Sequence, residues 1–189
     1  AAYQVAITAT ASATRYITLT GATGSNNPTI STSAGALALG NGQLQFPATQ
    51  NASADANTLD DYEEGTFAPT ITFGGSATGL TYSANVGSYT KVGRLVTFNF
   101  TIGLTAKGSS TGVILISGMP FTASAYQFAC AGYLTDVTSG VGDTNLSQRV
   151  NASAATCNLY KMVTGTATQL TDADFTNTSI IYMAGSYTI

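Results

Sequence analysis

The clearest hydrophobic pattern in the chain runs over residues 95–104. Val96, Phe98, Phe100, Ile102 and Leu104 alternate there with Thr97, Asn99, Thr101 and Gly103. Alternation with period two predicts a strand of an antiparallel sheet, buried on one face and wet on the other. Shorter apolar strings predict further strands at 70–73, 80–83, 88–92, 113–117, 126–134, 157–163 and 178–187. Gly74-Gly75, Gly79, Lys107–Gly112 and Gly118-Met119-Pro120 punctuate them, and Lys91-Val92-Gly93-Arg94 reads as a turn or bulge. No amphipathic helix stands out. Short strands separated by turn signals predict an antiparallel β-sandwich or jelly-roll-like head over 62–189.

Residues 1–61 read differently. Val5–Ile7, Tyr16–Leu19, Ile30, Leu37, Leu39, Leu44 and Phe46 are apolar points spaced by Gly, Ser, Thr and Asn. Strand-and-turn units this short are not stable alone, so their sparse apolar residues need a surface to bury against. Copies of the same segment around a symmetry axis supply one. The expectation is a thin intertwined stalk, with Leu37, Leu39, Leu44 and Phe46 facing the axis. The bland alternative is a flexible polar linker, and the recurrence of Leu and Ile at strand spacing speaks against it.

Composition narrows the chemistry. Of 189 residues 8% are charged and 32 are Thr, with no His and no Trp; about 25% charged is usual. Without His there is no Ser-His-Asp or Cys-His nucleophile system and no imidazole metal ligand. A net charge of −3 with six scattered cations argues against nucleic acid as a partner. No apolar run reaches the roughly 20 residues of a membrane span, and the N-terminus lacks the basic start and apolar stretch of a signal peptide. Ten Tyr and eight Phe separate the chain from disordered compositions.

Five of the nine acids fall within ten residues: Asp55, Asp60, Asp61, Glu63 and Glu64. The segment lacks the spacing of a calcium loop, so a structural role is expected, with carboxylates capping a turn or pairing with Lys91 or Arg94; ion binding and acid/base catalysis by paired carboxylates are the alternatives. Leu59–Gly65 reads as a tight local structure closed by Gly65, at a junction between stalk and head. Asp172 and Asp174 read as a turn. Cys130 and Cys157 are expected as buried free thiols, with a disulfide as the alternative. The late tyrosines fill core positions or offer ring faces for recognition.

The string Leu59-Asp60-Asp61-Tyr62-Glu63-Glu64-Gly65-Thr66-Phe67-Ala68-Pro69-Thr70 resembles a segment of bacteriophage and prophage tail fibre proteins, in which Trp usually stands where this chain has Phe67. The resemblance continues through Phe73-Gly74-Gly75, Gly79-Leu80-Thr81-Tyr82, Gly87–Arg94 and Gly118-Met119-Pro120-Phe121. More weakly, residues 14–46 look like fibre shaft sequence. Beyond Phe121 nothing matches. The resemblance implies a homotrimeric virion fibre, made in the host cytoplasm, joined to other virion proteins through its N-terminal end and attaching to a host surface glycan or protein through its head. It implies no enzyme activity and no cofactor. A capsid decoration or head-fibre protein is the alternative; a polysaccharide-degrading tailspike is a more distant one. Receptor contacts are expected in the polar loops 135–146 and 164–174, with Thr138, Asn145, Thr168 and Gln169 as candidates.

Overall fold

The computed structural model describes residues 43–49, 54–55, 57–129, 131–138, 146–163 and 165–189. The chain divides into two units, Ala1–Leu44 and Gln45–Ile189, and the fold below is that of the second.

It is all-β, as expected, with two antiparallel sheets. The first has the order β1-β3-β4-β11-β7, from Tyr62–Phe67 (β1), Leu80–Val92 (β3), Leu95–Lys107 (β4), Phe175–Thr188 (β11) and Ala131–Val137 (β7). The second has the order β2-β5-β9-β8-β6, from Thr70–Phe73 (β2), Ile114–Ser117 (β5), Thr156–Val163 (β9), Leu146–Val150 (β8) and Gln127–Ala129 (β6). One edge of β9 is shared, since Thr156 and Cys157 pair with β5 while Tyr160–Val163 pair with Thr166–Gln169 (β10). Among the described residues no helix is long and apolar enough to cross a membrane.

The core lies between the sheets. Val96, Phe98, Phe100, Ile102 and Leu104 of β4 are buried, the face the alternation predicts. They meet Ile71, Phe73, Ile114, Ile116, Val150, Cys157 and Leu159 from the second sheet, with Ile181, Met183 and Tyr187 of β11 beside them. Phe98 packs against Phe100 and Tyr187. Between β3 and β4 the chain turns in two residues, with Gly93 at φ +55° in the first central position, where a type II′ hairpin turn places its glycine.

Several expected boundaries change. The strings 80–83 and 88–92 are one strand, β3, with its register shifted around Ser83. The expected strand 126–134 is two, because β6 pairs with β8 in the second sheet and β7 with β11 in the first. β propensity fixes neither a strand's partner nor its sheet. The segment 164–174 contains a strand, β10, and a 3₁₀ turn at Asp172–Asp174. In the segment 135–146, Thr135–Val137 ends β7 and Leu146 starts β8.

The tight structure expected at Leu59–Gly65 is instead strand β1, with Gly65 inside it. Gly65 faces Tyr89 across the ladder and Phe67 faces Gly87. A Cβ on Gly65 would stand 2.7 Å from Tyr89 Oη, and one on Gly87 2.5 Å from the Phe67 ring. Each glycine is therefore the seat of an aromatic ring on the opposite strand, a pairing that pins register.

Candidate functional site

The acidic segment meets two of the strings that follow it in the sequence, Gly87–Arg94 and Gly118–Phe121, at one corner of the sandwich. Asp61 and Lys91 form an ion pair with both side chains buried, and the Asp61 carbonyl accepts a hydrogen bond from the Gly93 amide. The Lys91 ammonium lies 5.2 Å from the centre of the Phe121 ring. Tyr89 meets that ring edge-on at 5.2 Å and donates its hydroxyl to Glu63, a bond that pushes the Tyr89 phenol up to about 12. Phe67 packs edge-on against Phe100. Gly118, at φ +87°, leaves room for the Ala68 carbonyl. The structural reading of the cluster holds for Asp61, which pairs with Lys91 as expected. Residue 61 is thus tied into the sandwich by side chain and backbone. Asp60 and Leu59 precede it, and Leu59 is exposed.

Outside the core, the first sheet presents an open face. Strand register places Tyr62, Val92 and Leu95 in one row, Glu64, Thr90, Thr97 and Ser186 in the next, then Thr66, Ser88, Asn99 and Ala184, then Val86, Thr101, Tyr182 and Tyr133. Apolar side chains therefore concentrate in the first of these rows and in the fourth, and hydroxyls and an amide fill the two rows between. Six of the eleven large hydrophobic residues exposed among the described ones lie here: Tyr62, Val86, Val92, Leu95, Tyr133 and Tyr182. Glu64 is the one charge in these rows, and it accepts the Tyr62 hydroxyl. The middle rows line a shallow depression of about 630 Å³. Tyr133 and Tyr182 stack at 6.2 Å.

The remaining expected residues are dispersed. Leu37 and Leu39 lie outside the described residues, as do Asn145 and Cys130. Leu44 is exposed and Phe46 half-buried. Thr138 donates its hydroxyl to the Ala173 carbonyl, and Gln169 its amide to the Ile114 carbonyl. Thr168 is exposed on β10. Cys157 is a free, fully buried thiol, pushed by burial up to about 12, which keeps it protonated and non-nucleophilic. No group of three His, Cys, Asp or Glu side chains able to hold a metal occurs among the described residues. Sequence reasoning missed the open face, because it singled out polar loops. The outward residues of β3 and β4 carried the signal.

No family model matches the chain, and no curated protein matches it. Among solved structures it is similar to the Dettilon tailspike protein (gp208), with a TM-score of 0.53 and 18% sequence identity. The match covers 67% of this chain and 23% of the tailspike chain. The sandwich is therefore a fold also found as part of a phage tailspike.

Proposed function

We propose that the chain is a homotrimeric virion fibre protein that attaches to the host cell surface through its sandwich head, as a binding protein and not an enzyme. The observation that carries this reading is the open face of the first sheet. Its two apolar rows and nearly uncharged middle suit packing against further copies of the chain, and a contact between unlike rows generates a ring where its rotation closes. Support also comes from the likeness to part of a phage tailspike and from the fibre-like strings, which meet at the Asp61–Lys91 corner.

Light scattering at micromolar concentration should give three times the 19.2 kDa of one chain, and a monomer would overturn the reading. Tyr182→Glu, which puts a charge in one apolar row, should yield a folded monomer. Electron microscopy of labelled virions should find the protein on the tail; density on the capsid would transfer it to capsid decoration. Oligosaccharides released from host capsule by the purified protein would refute the non-enzymatic part.

A further inference from the structure

The second sheet carries a different feature on its outer face. Arg149, on β8, has its guanidinium 4.7 Å from the centre of the Tyr126 ring and 5.2 Å from that of Tyr160. We propose that this clamped guanidinium is a carboxylate-binding site and that its ligand is an acidic saccharide. The proposal rests on the attachment reading and gives it a ligand class.

The argument begins with charge. Every lysine among the described residues has an aspartate: Lys91 has Asp61, Lys107 has Asp172 at 3.6 Å and Lys161 has Asp174 at 2.5 Å. Arg94 is exposed in the β3–β4 turn, where water solvates it. Arg149 has neither remedy, being half-buried and without an acidic partner among the described residues. The strands of its sheet, β2, β5, β6, β8, β9 and β10, contain no Asp or Glu at all. In a chain of net charge −3 this sheet is a local exception, and an anion approaching it meets no repulsion from its strands.

Geometry adds to charge. The Nε of Arg149 is buried with no hydrogen-bond partner among the described residues, and one Nη reaches Asn151 Oδ1 at 3.5 Å. A guanidinium has five N–H donors in a fixed fork, so most of the fork is left without a partner among the described residues. Two rings hold the group in place, so a ligand does not have to order it first. The fork matches a carboxylate through two parallel hydrogen bonds. The surroundings select a sugar. Tyr126 is 63% exposed and offers a ring face and a hydroxyl, while Asn151 and Thr156, hydrogen-bonded to each other, present uncharged polar groups beside it.

The test titrates the full chain calorimetrically with a tetrasaccharide of alternating glucuronic acid and N-acetylglucosamine, and with its carboxyl-reduced, neutral counterpart. The acidic form should bind at least tenfold more tightly. Arg149→Gln should remove that difference, Arg149→Lys should restore part of it, and Tyr126→Ala, at an exposed position, should weaken both forms severalfold in a folded protein. Equal binding of the two forms, an Arg149→Gln variant that keeps the preference, or no binding of the acidic form at millimolar concentration would overturn the proposal. Inorganic phosphate binding as tightly as the saccharide would overturn its sugar component. A trimer that adsorbs to host cells yet ignores the acidic tetrasaccharide would sink this site alone, whereas a monomer that binds it would sink the assembly reading alone.

Discussion

Strands β3, β4 and β11 of the first sheet run for 13, 13 and 14 residues, while the longest strand of the second sheet, β9, has eight. Long strands bury many alternate side chains on one face, and a one-residue slip would expose all of them, so apolar pattern sets much of their register. Short strands have too few such positions. In the second sheet side-chain hydrogen bonds take over. Asn158 and Gln169 both donate to the Ile114 carbonyl, Asp174 receives Lys161 and the Thr171 amide, and Asp172 receives the Gly112 amide. One sheet is specified by hydrophobic period and the other by polar pins, and mutations should separate the two.

The largest effect is expected where the first sheet departs from its own rule, at the buried Asp61–Lys91 pair. Asp61→Ala leaves an ammonium buried without its counter-ion and should cost about 3–5 kcal/mol in urea unfolding. Replacing both, as Asp61→Leu with Lys91→Met, should recover most of that loss. A double variant no more stable than the single would show that the corner needs the charges themselves.

Next come the pins of the second sheet. Asn158→Ala or Gln169→Ala alone should cost about 1 kcal/mol, since the Ile114 carbonyl keeps one donor. The double variant strands that carbonyl, so its loss should exceed the sum of the singles by roughly 0.5–3 kcal/mol. Strict additivity would mean that the two amides act separately and that β5 is held by its ladder alone.

This division also explains what could be read from the sequence. The buried face of β4 was legible residue by residue, as were β2 and the glycine turn at Gly93, because alternation and turn chemistry are local. The glycine of β1 was not: Gly65 looks like a terminator until Tyr89 is placed above it, and that partner arrives by folding. β8 and β10 escaped because five and four residues carry too little pattern. Of the candidate site, the Asp61–Lys91 pairing was legible from charge. The stacking of Arg149 between Tyr126 and Tyr160 was not, since the two tyrosines come from distant parts of the chain.

Alkaline titration probes a buried group from each sheet, beside the Tyr89 phenol of β3. Burial pushes both the Cys157 thiol of β9 and the Tyr187 phenol of β11 up to about 12, above ordinary values of about 9 and 10. Between those values and about 12 the folded chain holds protons that the unfolded chain has lost, so stability is full below about pH 9 and falls above it. Each group contributes a slope of up to about 1.4 kcal/mol per pH unit. Urea midpoints from pH 8 to 10.5 should decline, with the early part, between about 9 and 10, removed in Cys157→Ala. An unchanged early slope in that variant would place the alkaline sensitivity in the first sheet.

The smallest effect is expected at the most buried polar side chain of the second sheet. Gln148 is fully buried; its amide nitrogen donates to Cys157 Sγ at 2.8 Å, and its Oε1 has no partner among the described residues. A thiol is a weak acceptor, and an orphan carbonyl opposes whatever that bond contributes. Gln148→Met keeps the shape and removes both terms, so stability should change by about 1 kcal/mol or less. What should change is specificity. With the amide gone, β8 loses a polar contact to β9, and hydrogen exchange in Leu146–Val150 should quicken relative to β4 at equal global stability. A loss of more than about 2 kcal/mol would instead make the amide–thiol contact a net stabilising bond, and polar pins would then supply energy to the second sheet as well as register.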